Sequence, residues 1–173
     1  YYLKEIKAPV GYNLSTEVIP IMADASGKTV EYTSEISNAE YGNNPILGKV
    51  AIQKYCSDGE TGLLDPEANT TFQVYLKSKG SYETCTDYER AIIKTDSNGY
   101  AVTGNLYYGT YVVHQVDSGD VDAIHVDDFD VEVTENGKVY TYPLNNKLFK
   151  AYLKILKKDK QTEKQVLKPG TAY

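Results

Sequence analysis

Lys54 is a lysine whose position in the sequence predicts burial. Strand side chains alternate between two faces, so in the run 48–56 Lys54 shares a face with Val50 and Ile52. That face is apolar and should be the buried one, yet a lysine is almost never fully buried without a partner. We therefore expect the Lys54 amine to be neutralised, paired or consumed in a reaction.

Two amide side chains are predicted to face the same interior. Alternation within 111–115 turns Gln115 inward together with Tyr111 and Val113, and alternation within 139–146 does the same for Asn146. Asn145, one residue earlier, should point outward. Without further information, these residues indicate an ordinary buried cluster in which two amides hydrogen-bond a lysine.

Strands must position these side chains, and the chain is predicted to be all-β. Short alternating runs are separated by turn signals, and no stretch has sustained helical periodicity. Seven strands at this spacing are typical of a β-sandwich, and Glu135-Asn136-Gly137-Lys138 favours a hairpin between the last two. The predicted strands are 48–56, 70–78, 89–95, 99–106, 109–117, 128–134 and 138–146.

The composition narrows the class of partner. The chain has 173 residues, 41% of them hydrophobic, with 17 Tyr, 3 Phe and no Trp, as expected for strands with one wet and one dry face. A net charge of −6 without a basic cluster argues against nucleic acid and anionic membranes. No apolar run is long enough to insert in a membrane. The acidic stretch 115–133 matches no metal-binding loop, and we expect neither a metal nor a cofactor.

A repeated pattern suggests tandem domains. The alternation of 50–54 recurs in 153–157 at a constant offset, with Lys157 in the place of Lys54. We expect 1–41 to be the C-terminal part of a preceding domain, 42–47 a linker, 48–147 one complete sandwich, and 148–173 the N-terminal strands of a following domain.

Three motifs make a family resemblance recognisable. Residues 1–12 read Tyr-Tyr-Leu-Lys-Glu-Ile-Lys-Ala-Pro-Val-Gly-Tyr, 95–100 read Thr-Asp-Ser-Asn-Gly-Tyr, and 106–111 read Leu-Tyr-Tyr-Gly-Thr-Tyr. Together they resemble the Cna-B/SpaA-type domains, prealbumin-like β-sandwich repeats of Gram-positive pili and surface adhesins. The resemblance covers essentially the whole chain and implies tandem sandwiches, one complete and two partial.

The resemblance also implies a self-modification. In that family a first-strand lysine attacks a last-strand asparagine, ammonia leaves, and an intramolecular isopeptide bond remains, with a buried glutamate assisting. Lys54 and Asn146 match the two reacting residues. The glutamate position falls on Gln115, which can hydrogen-bond but cannot transfer a proton, and Asp128 is a possible substitute. The alternative is an unreacted, hydrogen-bonded cluster.

The flanking units carry partial sets of the same residues. Glu5 and Asn38 match the acid and the asparagine of the first unit, and Lys157 matches the lysine of the third. Cys56 and Cys85 are expected to be free thiols, because the predicted strands place them at opposite ends of the domain; the alternative is a disulfide between them.

The resulting functional hypothesis is structural. We expect a stalk or backbone segment of a surface protein or pilin, outside the cell and anchored to the wall of a Gram-positive bacterium. Its partners would be neighbouring domains of the same chain. The alternative is an adhesin module that binds host matrix protein or carbohydrate through its loops. No site for a turnover enzyme stands out, so at most the chain cross-links itself once.

Overall fold

The computed structural model describes residues 1–22, 27, 42–57, 61–119, 123–148, 158 and 160–162. These residues form β-strands and one short 3-10 turn, Lys77–Lys79, which agrees with the all-β prediction. No helix within them has the length and apolar character needed to cross a bilayer. The strands are β1 Tyr2–Lys4, β2 Val18–Pro20, β3 Leu47–Ser57, β4 Leu64–Pro66, β5 Thr71–Leu76, β6 Arg90–Lys94, β7 Tyr100–Val102, β8 Leu106–Tyr107, β9 Gly109–Asp117, β10 Ala123–Ile124, β11 Phe129–Val133 and β12 Val139–Leu148.

Two sheets face each other across the core. One runs β10-β12-β3-β4, with β7 and β8 also paired to β3, and the other runs β11-β9-β5-β6. The core between them is made of the inward side chains that the alternating pattern predicts, among them Val50, Ile52, Phe72, Tyr111 and Val131. Each is at most 1% exposed, so the apolar face of each sheet is removed from water.

β3 is the centre of its sheet. On one side it pairs in parallel with β12 along nine residues, from Lys49 opposite Val139 to Ser57 opposite Lys147. On its other side it pairs with β8, β7 and β4 in turn along its length. The first and last strands of the sandwich therefore lie side by side, as the proposed reaction between them requires.

The hairpin prediction at 135–138 is wrong. The turn exists, and Gly137 adopts the left-handed φ of +75° that favours glycine, but β11 and β12 belong to different sheets. The turn is held by β3 instead: Leu47 N donates to Asn136 Oδ1 at 3.0 Å, and Gly137 N donates to Leu47 O at 2.7 Å. These tertiary hydrogen bonds direct the chain from one sheet to the other. They override the preference of Asn-Gly for a hairpin between neighbouring strands.

The predicted strand 99–106 is two short strands, β7 and β8. Between them the Thr103 hydroxyl accepts a hydrogen bond from Val50 N at 3.0 Å, and Thr103 N donates to Val50 O at 2.9 Å. The Thr103 hydroxyl thus replaces the backbone carbonyl that would accept from Val50 N in a regular β-ladder. The structure also adds β4, which the sequence did not indicate, and β4 leads directly into the site.

Candidate functional site

Lys54 lies in the C-terminal half of β3 and is fully buried. The turn 96–99 packs closely against the Lys54 backbone. Lys54 N donates to Gly99 O at 2.7 Å, and a Cβ on Gly99 would lie 2.2 Å from Lys54 O. Only glycine fits there, at a φ of +72°. The Thr-Asp-x-x-Gly motif of the sequence thus fixes the strand that carries the amine.

Asn146 lies on the neighbouring strand, facing the same interior. It is 1% exposed, whereas the adjacent Asn145 is exposed, as the alternating pattern predicts. In the register of the parallel pair, Leu144 is opposite Lys54 and Asn146 is opposite Cys56. Lys54 and Asn146 are therefore offset by two residues on adjacent strands of one face.

A buried carboxylate joins the two residues, and it belongs to Glu67. Lys54 Nζ lies 2.9 Å from Glu67 Oε2, and Asn146 Nδ2 donates to Glu67 Oε1 at 3.2 Å. Glu67 is 4% exposed and Lys54 is 0% exposed, so the charged groups have almost no contact with water. Lys54 Nζ also donates to Tyr55 O at 2.8 Å.

Two threonines hold the loop that carries Glu67. The Thr70 hydroxyl donates to Glu67 Oε1 at 2.9 Å. The Thr95 hydroxyl donates to Glu67 O at 2.7 Å and accepts from Thr70 N at 3.0 Å. Glu67 N in turn donates to Lys54 O. The carboxylate is thus fixed by its backbone as well as by its side chain.

Burial and the charge of Glu67 act in opposite directions on the Lys54 amine. Burial lowers the pKa of Lys54 below its ordinary value of 10.5, although the hydrogen bond and the charge of Glu67 act to raise it. Burial also raises the pKa of the nearby Cys56, as does the charge of Glu67. The thiol therefore stays protonated and is a poor competitor for the amine.

One buried acceptor of the cluster lacks a hydrogen bond within the described part of the chain, and it is Asn146 Oδ1. An unpaired buried carbonyl costs about 1–3 kcal/mol. It is also the oxygen that gains negative charge when a nucleophile attacks the Asn146 amide carbon. In the structure Asn146 Nδ2 faces Glu67 Oε1, and exchange of the two amide atoms would turn Oδ1 toward Glu67 instead.

Gln115 does not join this cluster, which corrects the position predicted for the assisting residue. Its side chain is buried, but Nε2 donates to Asp117 O at 3.1 Å and Oε1 accepts from Val126 N at 3.2 Å. The first bond lies within β9, and the second ties β9 to the connection that precedes β11. Strand alternation predicted burial correctly but could not say which partners the side chain meets.

The possible substitute, Asp128, lies on the surface. Its Oδ1 is 2.7 Å from His114 Nδ1, and both side chains are about half exposed. It makes no contact with Lys54 or Asn146 that would let it act as the acid. The acid that does contact them, Glu67, follows Pro66 between the predicted strands 48–56 and 70–78, where strand alternation assigns no side chain to a face.

The remaining predicted residues have separate places. Cys56 and Cys85 are unpaired thiols. Glu5 Oε2 accepts hydrogen bonds from Ser15 N at 2.6 Å and from Asn43 Nδ2 at 2.7 Å. Asn38 and Lys157 lie outside the described residues, so their proposed roles stay predictions.

No group of three or more metal-ligating side chains occurs among the residues that the structure describes. The cluster around Glu67 offers one carboxylate, one amine and one amide, which is a donor set for proton transfer and not for holding a divalent cation.

Comparison with solved structures identifies the fold. The Bacillus anthracis TIE protein matches 86% of this chain and 24% of its own length, with a TM-score of 0.64 and 25% identity. GBS52, the minor pilin of Streptococcus agalactiae, matches 66% of this chain and 51% of its own length, with a TM-score of 0.50 and 22% identity. The chain thus spans about a quarter and about half of these proteins. No family model matches the chain, and a search of curated proteins returned no match.

Proposed function

We propose that this chain, which has the sandwich fold of Gram-positive pilin domains expected from its Cna-B/SpaA-like motifs, is a load-bearing segment of a Gram-positive surface protein or pilin. Its central sandwich is locked by an isopeptide bond between Lys54 and Asn146. Glu67 is the carboxylate that moves the protons. The shared fold with a minor pilin supports the structural part of the proposal.

One observation carries the chemical part: a single buried carboxylate is hydrogen-bonded to both the amine and the amide. A buried ion pair is costly, since desolvating two charges offsets much of their attraction. Passing one proton from Lys54 Nζ to Glu67 across 2.9 Å makes both groups neutral without exchange with solvent. The same transfer creates the nucleophilic amine.

The reaction then balances within the cluster. The neutral Lys54 Nζ attacks Cγ of Asn146, and protonated Glu67 stabilises the developing charge on Oδ1. The Nζ–Cγ bond forms and the Cγ–Nδ2 bond breaks. Glu67 donates a proton to the departing nitrogen, which leaves as ammonia, and takes one proton from the attacking Lys54 nitrogen. Glu67 is therefore protonated at the end of the reaction, as it was after the first proton transfer from Lys54. The residues are held together before reaction, which removes the entropic cost of an encounter.

The bond would change how the domain responds to force. Because β3 and β12 are parallel neighbours, a pull applied through the start of β3 and the end of β12 shears this strand pair. With the cross-link in place, the load passes from Lys54 to Asn146 and bypasses the residues between them. By analogy with a disulfide that closes a loop of similar length, the bond would also stabilise the fold by about 4–5 kcal/mol.

Intact-mass measurement of residues 1–173 tests the proposal. We expect a deficit of about 17 Da, one ammonia, in the native chain and none in Lys54→Ala. The matched control is Lys49→Ala, an exposed lysine of the same strand, which should keep the deficit. Tandem mass spectrometry should find Lys54 and Asn146 in one branched peptide. A native chain of full mass would overturn the cross-link and leave the fold assignment untouched.

A further inference from the structure

Three tyrosines meet where the N-terminal segment joins the sandwich. Tyr12, Tyr107 and Tyr108 line a cavity of about 380 Å³ together with Val10, Gly11 and Pro45. The tyrosines are 45%, 41% and 39% exposed, so their rings are accessible. The volume falls within the range of small-ligand pockets, about 300–1,000 Å³. This is the exposed aromatic cluster that a binding module would need and that the sequence alone could not reveal.

The walls of this tyrosine pocket are held by the backbone. Ile46 N donates to Gly11 O at 2.7 Å, Tyr108 N donates to Ile46 O at 3.1 Å, and Tyr12 forms a β-bridge with Pro45. The ring of Tyr107 packs against Tyr88 with centroids 5.2 Å apart. The pocket is thus preformed, which reduces the entropy lost when a ligand binds.

The chemistry of the lining selects the ligand. None of its six residues is charged, in a chain of net charge −6, so the pocket complements an uncharged ligand. Within the described ranges, the hydroxyls of its three tyrosines make no hydrogen bond and are available as donors. The flat tyrosine rings and the free tyrosine hydroxyls of the pocket would suit a peptide ligand that has apolar rings and carbonyl groups without hydrogen bonds. A polyproline II segment has both, because its backbone forms no internal hydrogen bonds.

We propose that the tyrosine pocket binds a single, uncharged, proline-rich strand in the polyproline II conformation. The pyrrolidine rings pack on the tyrosine faces, and the tyrosine hydroxyls donate to the strand's carbonyls. Aromatic-lined grooves recognise such segments because the ligand is already ordered before it binds. This site is separate from the Lys54 cluster and does not depend on the cross-link.

The test is binding of fluorescent decaproline to residues 1–173, measured by anisotropy. We expect saturable binding that Tyr107→Ala weakens by about tenfold or more, since tyrosines that a ligand covers on binding are common hot spots. Tyr12→Phe, which removes only a hydroxyl, should weaken it by about threefold. The matched control is Tyr100→Ala, a tyrosine of similar exposure (37%) on β7, which should bind as the native chain does.

Several outcomes would overturn the proposal. These are no decaproline binding at millimolar concentration, equal loss in Tyr100→Ala, or binding of neutral oligosaccharide or triple-helical collagen peptide without decaproline. Thermal unfolding of each variant identifies any that fail to fold. Tyr107→Phe and Tyr12→Phe keep the rings in place, so the hydroxyl contribution is measured even if Tyr107→Ala unfolds.

Discussion

Each sheet of the sandwich carries a polar side chain in its interior: Lys54 on β3 in one sheet and Gln115 on β9 in the other. Both are at most 2% exposed, and both follow an apolar alternating run. Gln115 is satisfied by two backbone groups, Asp117 O and Val126 N, and carries no charge. Lys54 is paired with a buried carboxylate beside an amide whose oxygen has no hydrogen bond.

Under the proposed function, this difference separates a structural polar residue from a reactive one. Gln115 ties β9 to the connection that precedes β11, and both of its side-chain hydrogen bonds are to neutral backbone groups. The Lys54 cluster holds two opposite charges away from water and leaves an acceptor unpaired, so the folded state gains when the charges are removed. Burial alone does not distinguish the two sites; the buried ion pair and the unpaired amide oxygen do.

The largest expected effect comes from Glu67→Gln. Glutamine keeps the size of the side chain but cannot accept the proton of Lys54, so the amine is not activated and the cross-link does not form. We expect the full, uncyclised mass and a free energy of unfolding lower by about 4–5 kcal/mol, measured by denaturant titration.

Asp128→Asn is the matched control for that variant, because it also neutralises one carboxylate. Asp128 pairs with His114 on the surface, where an ion pair contributes about 0–1 kcal/mol. Its mass deficit should remain. If Glu67→Gln keeps the deficit and Asp128→Asn loses it, the acid has been assigned to the wrong residue.

A smaller effect, and of a different kind, is expected from Gln115→Ala. The change leaves Val126 N and Asp117 O without their partner and opens space beside β9. We expect the domain to lose about 2–3 kcal/mol of stability while the mass deficit of about 17 Da persists. Loss of the deficit in a folded Gln115→Ala protein would show that both polar sites belong to one reaction.

Much of the fold follows from alternation along the sequence. The inward positions of Lys54, Gln115 and Asn146 are all buried, because a period of two places every second side chain in the core. Strand alternation says nothing about residues between strands, however. Glu67 lies just beyond β4, and a carboxylate in a polar connection is usually solvated.

What buries Glu67 is the set of long-range bonds around it. Lys54, Thr95 and Asn146 contact it from positions 13, 28 and 79 residues away in sequence. No local pattern encodes such contacts. The same reason explains the failed hairpin, where bonds from Leu47 decide the path of an Asn-Gly turn that would otherwise close on itself. In both cases tertiary hydrogen bonds determine what the local sequence leaves open.

The last prediction concerns pH and separates a consumed amine from a persisting one. In Asn146→Ala the Lys54 amine cannot react, and burial keeps its folded-state pKa below the ordinary value of 10.5. Between those two pKa values the unfolded chain binds more protons than the folded one. The free energy of unfolding should therefore rise with pH in this window, by at most about 1.4 kcal/mol per pH unit, and level off above it.

The native chain should lack this rise, because its Lys54 amine has become an amide that does not titrate. Urea titrations across the alkaline range measure the free energy of unfolding of both proteins. The double variant Asn146→Ala/Lys54→Met is the reference, because it has the same tyrosines and therefore shows the effect of tyrosine ionisation without the Lys54 amine. A native chain whose stability rises with pH as steeply as that of Asn146→Ala would mean that the amine is still present. The Lys54 site would then be, like Gln115, a structural polar group of the core.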